Sequence, residues 1–413
     1  MAPRFGFLQA TAWPRPRTAV VTLRAVRVTL LSNGHGEDVV GSLLARALMT
    51  LEPDLTVQAF PTVGTGAAYE ALAVPVLGPR RALPSGGLML HSPNAFWGDL
   101  RAGFVPMTLA QLRGLSRLDT DALVVVGDLY ALLLGNLVRT PGRFYVQTLV
   151  SSRHRGGGEH GTGEPEAGER LAGGQLNRYF MERFSLPERL LMRRSVRHSY
   201  VRDPSTAALL QRFGLPVSAL GNPMLDALEP FEPLALPLTK PVVALLPGTR
   251  LYQSAALETM LGALTHLPGA TGLVAWAGPE PDGRWTPVAP DVWRFGPHHL
   301  LRGRFADVLH AADLALSTAG TASEQAAALG RPVVAFPVPP LYTEAFLANQ
   351  RRLLGDALTL AAPEPAALAA ALRALWADPA RYGAAAAAGR ARMGPAGGSA
   401  AIASDVLRRV RTG

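Results

Sequence analysis

Four short stretches of this chain combine residue types and spacings that could do chemistry. In the first, Ala312-Asp313-Leu314-Ala315-Leu316 runs as an apolar strand into Ser317-Thr318-Ala319-Gly320-Thr321, a turn of small residues. An Ala-rich helix follows and closes before Gly330-Arg331-Pro332. Such a turn leaves backbone N–H groups free at a helix N-terminus, where those donors and the helix dipole suit a diphosphate. Ala319, Gly320 and Thr321 are the expected donors, and Glu324 and Gln325 follow in the first helical turn, where a polar side chain can meet a ribose hydroxyl. An ordinary strand–turn–helix of an α/β domain fits the same residues.

The second stretch is Leu245-Leu246-Pro247-Gly248-Thr249-Arg250. Gly248 and Thr249 let the backbone approach a ligand, and Arg250 suits bidentate contact with phosphate. There it would offset charge building on a departing nucleoside diphosphate. A surface turn with a solvated arginine is the plain alternative. In the third, Val124-Val125-Val126-Gly127-Asp128, a carboxylate directly follows a buried strand. Asp128 is thus a candidate general base for an acceptor hydroxyl, or a cap for the next helix. The fourth, Ser32-Asn33-Gly34-His35-Gly36-Glu37-Asp38, is read as a tight glycine-bearing turn with three titratable side chains. It lies at the carboxyl end of the first strand, where open parallel sheets place their ligands. Asp38 or Glu37 would equally well cap the helix that follows.

These residues need a scaffold, and the sequence supplies alternating elements. Val26–Leu31 is strand-like, Val39–Leu51 has helical spacing, and Leu55–Phe60 is a strand. Ala122–Val126, Phe144–Val150, Val242–Leu246, Gly272–Trp276, Val292–Phe295, Leu314–Ser317 and Val333–Phe336 continue the strand series, and Leu129–Leu137 and Ala366–Arg392 read as helical. Continuously apolar strands separated by helices indicate parallel sheets buried on both faces. Residues 1–25 read as a disordered extension, and 153–173, rich in Gly, His and Glu, as a mobile insertion. The Pro-rich segment 226–241 is the expected linker between one Rossmann-like domain, 26–225, and a second, 242–413, that ends in helices.

Composition sets outer bounds. At 413 residues the chain suits two domains of roughly 150–200 residues each. The absence of cysteine removes disulfides, thiolate metal sites and cysteine nucleophiles, as suits a reducing cytoplasm. The net charge of +9 points to phosphates or an anionic surface as partners. No nucleic-acid motif accompanies it, so nucleic acid is not expected. No apolar run reaches the roughly 18–20 residues of a membrane span. Phe96, Trp97 and Phe104 interleave with Arg101 and neighbouring arginines, a pattern that suits a peripheral membrane contact or a buried helix pair.

The Gly320 turn, the Pro247-Gly248-Thr249-Arg250 loop and Asp128 together resemble the lipid-A-disaccharide synthase-related family of GT-B glycosyltransferases. The resemblance runs from about Val26 to about Arg392. It implies two Rossmann-like, doubly wound domains facing a cleft. It further implies that Gly248, Thr249, Arg250, Ala319, Gly320, Thr321, Glu324 and Gln325 bind the donor, and that Asn33, Gly34, His35, Gly36, Glu37 and Asp38 face the acceptor. Asp128 and Arg250 take the catalytic roles. The implied reaction is inverting and metal-independent, since neither cleft loop carries an Asp-x-Asp motif. It moves a hexose or N-acetylhexosamine from a UDP-sugar, which is a substrate and not a cofactor, to a lipid or isoprenoid acceptor. The enzyme would work in the cytoplasm on the inner face of the cell membrane; self-association as a homodimer is left open. Two departures stand out: Gly36-Glu37-Asp38 with an added His35, and Gln325 at the place of the family's ribose-binding glutamate. A UDP-sugar 2-epimerase and a non-catalytic protein of the same fold are the rival readings.

Overall fold

The computed structural model describes residues 26–80, 103–155, 184–249, 253–339 and 342–412. Arg250, Phe96, Trp97, Arg101, the 1–25 extension and most of the 153–173 segment lie outside the described residues, and Phe104 enters only as the first residue of a helix.

The first half alternates strand and helix: β1 Arg27–Ser32, α1 His35–Leu51, β2 Thr56–Pro61, α2 Ala67–Glu70, α3 Phe104–Ser116, β3 Ala122–Val126, α4 Leu129–Gly135, β4 Gly142–Gln147, α5 Leu186–Ser195, β5 His198–Val201, α6 Pro204–Gln211 and β6 Val217–Ser218. These strands form one sheet in the order β2-β1-β3-β4-β5-β6, every neighbouring pair parallel. β3 is buried along its whole length because helices cover both faces of the sheet. One core layer gathers Val28, Leu30, Val124 and Val126 with α1, and the other gathers Leu31, Leu123 and Val125 with α4 and α5.

The second half holds β7 Val242–Leu246, α7 Gln253–Thr265, β8 Thr271–Trp276, β9 Thr286–Ala289, β10 Val292–Phe295, β11 His298–Arg302, α8 Phe305–Ala311, β12 Leu314–Ser317, α9 Gly320–Ala328, β13 Val333–Ala335, α10 Glu344–Leu354, β14 Leu358–Leu360, α11 Pro365–Trp376, α12 Pro379–Met393 and α13 Gly398–Arg411. Its sheet runs β14-β13-β12-β7-β8-β11-β10-β9. β10 is antiparallel to both neighbours, so this sheet is mixed, with a meander where the sequence suggested a single strand.

Two local readings change. The expected turn over residues 32–38 closes early, and α1 begins at His35. Asp38 N–H donates to the Gly34 carbonyl at 2.8 Å, and Glu37 and Asp38 place negative charge in the first turn, where the helix dipole favours it. His35, Gly36, Glu37 and Asp38 are therefore helical residues. The last helix, α13, also leaves the second half: Ile402, Ala403, Val406 and Leu407 pack into the core layer of β1 and α1. Its N-terminus is tied at the crossing by Asp226, whose carboxylate accepts from the N–H groups of Gly397 and of Ser399, the latter at 2.7 Å.

Candidate functional site

In each sheet the strand order reverses once beside its first strand. In the first half the chain goes from β1 outward to β2, then returns to build β3 on the other side of β1. In the second it goes from β7 to β8, passes through the β9–β11 meander beyond it, and then crosses to place β12 on the other side of β7. Between β1 and β3, and between β7 and β12, the loops leaving the two strands turn opposite ways, opening a crevice at the carboxyl ends. Ser32 pairs in register with Val126, and Ser317 with Leu246. The crevices are therefore lined by Asn33 with Asp128, and by Gly248 with Ala319. All four candidate stretches lie at these two points.

In the first crevice Asp128 caps α4 and also holds Asn33. Its Oδ1 accepts from the N–H groups of Tyr130 at 2.9 Å and Ala131 at 3.3 Å, and from Nδ2 of Asn33 at 2.6 Å. All three donors meet Oδ1, so Oδ2 is the oxygen left to act on a ligand. Burial pushes the Asp128 carboxyl up from the usual carboxylate range, and these hydrogen bonds, with one from its own backbone N–H, hold part of that rise in check. Glu37 is pushed up to about 7, first by burial and then by the charges of Asp128 and Asp38. Asp38, 2% exposed, is pushed up to about 6 by burial, while a 2.6 Å bond from Ser32 Oγ and the nearby His35 pull the other way. Tyr69 Oη donates onward to Ser32 Oγ at 2.9 Å. Asp38 Oδ2 is buried without a hydrogen-bond partner. Gly64 keeps this corner open: an added Cβ would sit 3.3 Å from the His35 ring and 3.7 Å from that oxygen. His35 and Gly36 are exposed, whereas Gly34 is buried.

The second crevice brings the two phosphate-type turns together. Thr318 N–H donates to the Leu246 carbonyl at 3.0 Å, and Thr318 Oγ1 to that of Pro247 at 3.2 Å. Gly248 has a positive φ of 80°, and a Cβ there would lie 3.4 Å from that of Ala319. Ala319 is the N-cap of α9 and offers no side-chain cap; Ser323 Oγ instead bonds Ser317 Oγ at 2.9 Å and the Ala319 carbonyl at 2.8 Å. Thr249 and Thr321 form an exposed rim. Asp119-Thr120-Asp121 is far from this chemistry, preceding β3 at its amino end, where Asp121 accepts from Arg27 N–H at 2.7 Å.

Glu324 and Gln325 are both buried, and each bonds across to the first half. Glu324 Oε2 accepts from Arg202 Nη2 at 2.7 Å, and Gln325 Nε2 donates to the Met224 carbonyl at 2.9 Å. Both partners belong to the first half. Arg202 follows β5 directly and Glu324 lies one turn into the helix after β12, so the carboxyl ends of the two sheets face each other. Arg202, Tyr69 and Gly64 escaped the sequence reading. Of these, Arg202 carried a legible signal, since Tyr200-Val201-Arg202-Asp203 puts a charged residue at a strand's carboxyl end just as Asp128 does.

The chain matches no protein-family profile. It is 29% identical over 157 residues to a lipid-A-disaccharide synthase of Solibacter usitatus, covering 35% of this chain and 40% of that protein. A lipid-A-disaccharide synthase of Dechloromonas aromatica is 33% identical over 149 residues, covering 32% and 38%. One of Aromatoleum aromaticum is 34% identical over 156 residues, covering 34% and 39%. The chain thus spans about two fifths of the length of the curated relatives it matches. Among solved structures, the glycotransferase of kitacinnamycin superposes with a TM-score of 0.59 at 17% identity, covering 94% of this chain and 100% of that one. MurG of Acinetobacter baumannii gives 0.54 at 15%, covering 93% and 99%. A UDP-GlcNAc 2-epimerase of Neisseria meningitidis, bound to UDP-GlcNAc, gives 0.52 at 12%, covering 94% and 100%. The fold is that of GT-B glycosyltransferases and of their epimerase neighbours, and over a third of its length the chain is a relative of lipid-A-disaccharide synthases.

Proposed function

We propose that the protein is an inverting, metal-independent glycosyltransferase that moves a hexose or N-acetylhexosamine from a UDP-sugar to a lipid acceptor. The observation that carries this reading is the pairing of the two crevices, one with a half-buried carboxylate and the other with two adjacent backbone turns at a helix N-terminus. The named relatives supply the donor and acceptor classes. In the proposed step Asp128 takes the proton of an acceptor hydroxyl, and that oxygen attacks the anomeric carbon from the face opposite UDP. The bond from that carbon to the diphosphate oxygen breaks, and its electron pair leaves with UDP. The N–H groups around Gly248 and Gly320, with Arg250, offset the charge that develops there.

Membrane contact belongs to the same proposal. Helices α3, α4 and α5 lie side by side on one face of the first sheet. Their outer surfaces carry Val105 and Leu109, Leu133, and Leu186 and Leu190, with Leu137 just past α4, all between 41% and 66% exposed. Exposed Arg113, Arg139, Arg193 and Arg194 stand on the same helices or just past their ends. An apolar surface rimmed by arginines suits an anionic leaflet. No helix of the described residues is long and apolar enough to cross a membrane.

The crowding of Glu37, Asp38 and Asp128 favours a second reading, a UDP-sugar 2-epimerase, which needs several acid–base carboxylates. One incubation separates the two: labelled UDP-N-acetylhexosamine with the protein and a bacterial lipid extract. Label entering the lipid phase, absent with Asp128→Asn, supports the transferase. A sugar inverted at carbon 2 and no labelled lipid supports the epimerase. UDP binding with neither product leaves a non-catalytic binding protein.

A further inference from the structure

The Arg202–Glu324 pair is almost wholly buried, with side chains 4% and 10% exposed, and it spans the two halves. Gln325, the next residue of α9, makes its own bond to the first half through Met224. Gln350 of α10, in the same half as Glu324, holds the other carboxylate oxygen, Nε2 to Glu324 Oε1 at 3.4 Å. The same Nε2 flanks the donor turn, lying 3.4 Å from where a Cβ on Gly320 would be. The ion pair is thus one helical turn from the N–H groups that would meet phosphate.

The backbone next to Arg202 is itself anchored. Asp203, its neighbour, caps α6 by accepting from Thr206 N–H at 2.8 Å, and its Oδ2 accepts from Ser151 Oγ at 2.8 Å. His154 beside Arg202 has its pKa pushed down to about 4 by burial and by the Arg202 charge, so it stays neutral and does not compete for Glu324. A buried guanidinium without its carboxylate is strongly unfavourable, so the pair constrains where α9 can sit.

We propose that Arg202 is a positioning residue for the donor: acting through Glu324, it fixes α9, and with it the N–H groups of Ala319, Gly320 and Thr321, against the first half. The inference rests on the donor reading given above. It adds that the acceptor half contributes to donor affinity.

The test is calorimetric titration of the whole protein with UDP, for wild type, Arg202→Met, Arg202→Lys and the exchange Arg202→Glu/Glu324→Arg, each checked by circular dichroism and melting. Arg202→Met should weaken UDP about tenfold, and Arg202→Lys, which keeps charge but loses the planar fork, about threefold. The exchange should recover both melting temperature and UDP affinity. In turnover, kcat/KM for donor should fall at least in step with the loss of UDP affinity. UDP binding equal in wild type and Arg202→Met overturns the inference and leaves the donor reading intact. No UDP binding by wild type overturns the donor reading and the inference with it. If Arg202→Met fails to fold, the exchange decides: melting temperature recovered without UDP affinity marks a purely structural pair.

Discussion

Asn33 donates its Nδ2 to Oδ1 of Asp128 at 2.6 Å, joining residues 95 apart in the chain across the crevice between β1 and β3. The bond orients a carboxylate that also caps α4, so the proposed base is at the same time a structural residue. Because Asn33, Tyr130 and Ala131 all meet one oxygen, the cap can persist while the other oxygen works.

That division separates two substitutions. Asparagine caps helices about as well as aspartate, whereas alanine costs about 1 kcal/mol. Asp128→Asn should melt close to wild type, bind UDP normally and lose turnover by about 100-fold or more. Asp128→Ala should lose turnover and also melt lower. Full turnover by Asp128→Asn on an authentic acceptor would show that Asp128 is not the base.

The carboxylates of α1 should write a pH dependence into stability. Glu37 is raised from 4.5 to about 7 by burial and by the neighbouring charges of Asp128 and Asp38. Between these values the folded state binds more protons than the unfolded one, so stability falls as pH rises through the window. The contribution is complete below 4.5 and lost above about 7. A Glu37→Gln variant should remove this slope, so its melting temperature should gain on wild type steadily from pH 4.5 to 7.5. Parallel melting curves for the two proteins across that range would contradict the assignment.

Much of this site was legible from strand ends. Val124-Val125-Val126-Gly127-Asp128 and Leu314-Ala315-Leu316-Ser317 announce buried strands whose next residues must lie at a sheet's carboxyl edge, and β3 and β12 end as read. The start of α1 was not legible. Gly34 and Gly36 look like turn residues, yet the dipole's preference for Glu37 and Asp38 in a first turn outweighs their helix cost. Nor could the cross-half bonds of Glu324 and Gln325 be read, since their partners Arg202 and Met224 stand more than 100 residues away. The same holds for α13, whose apolar stripe gives a helix but not the core it joins.

The contact between the two turns of the second crevice gives a third prediction. Gly248 has φ near 80°, where a side chain is strained, and its Cβ would touch that of Ala319 at 3.4 Å. Gly248→Ala should cost roughly 1–2 kcal/mol in stability from backbone strain. Relief of that strain should shift the Gly248 turn and weaken UDP, read as a smaller thermal shift at a fixed UDP concentration. An unchanged shift would mean that the Gly248 turn does not take part in binding UDP.

The membrane proposal is best tested on the helices whose outer faces are described. Leu109, Leu133 and Leu190 are 50%, 48% and 48% exposed and come from three adjacent helices, so serine at all three should leave the core packed. Two forces should act on anionic vesicles. Each exposed arginine near the surface contributes about 1 kcal/mol, screened within roughly 10 Å at 0.1 M salt. Burying leucine in the leaflet is not screened. Wild type should therefore bind at low salt and keep a salt-resistant remainder. Leu109→Ser/Leu133→Ser/Leu190→Ser should lose that remainder while melting near wild type and still binding UDP, because the turns proposed to bind the nucleotide lie in the other half. Arg193→Gln/Arg194→Gln should do the reverse, losing low-salt affinity but keeping the remainder. A triple-serine variant with wild-type vesicle binding in high salt would remove these helices from the contact, and wild-type protein indifferent to vesicles at low salt would end the membrane proposal.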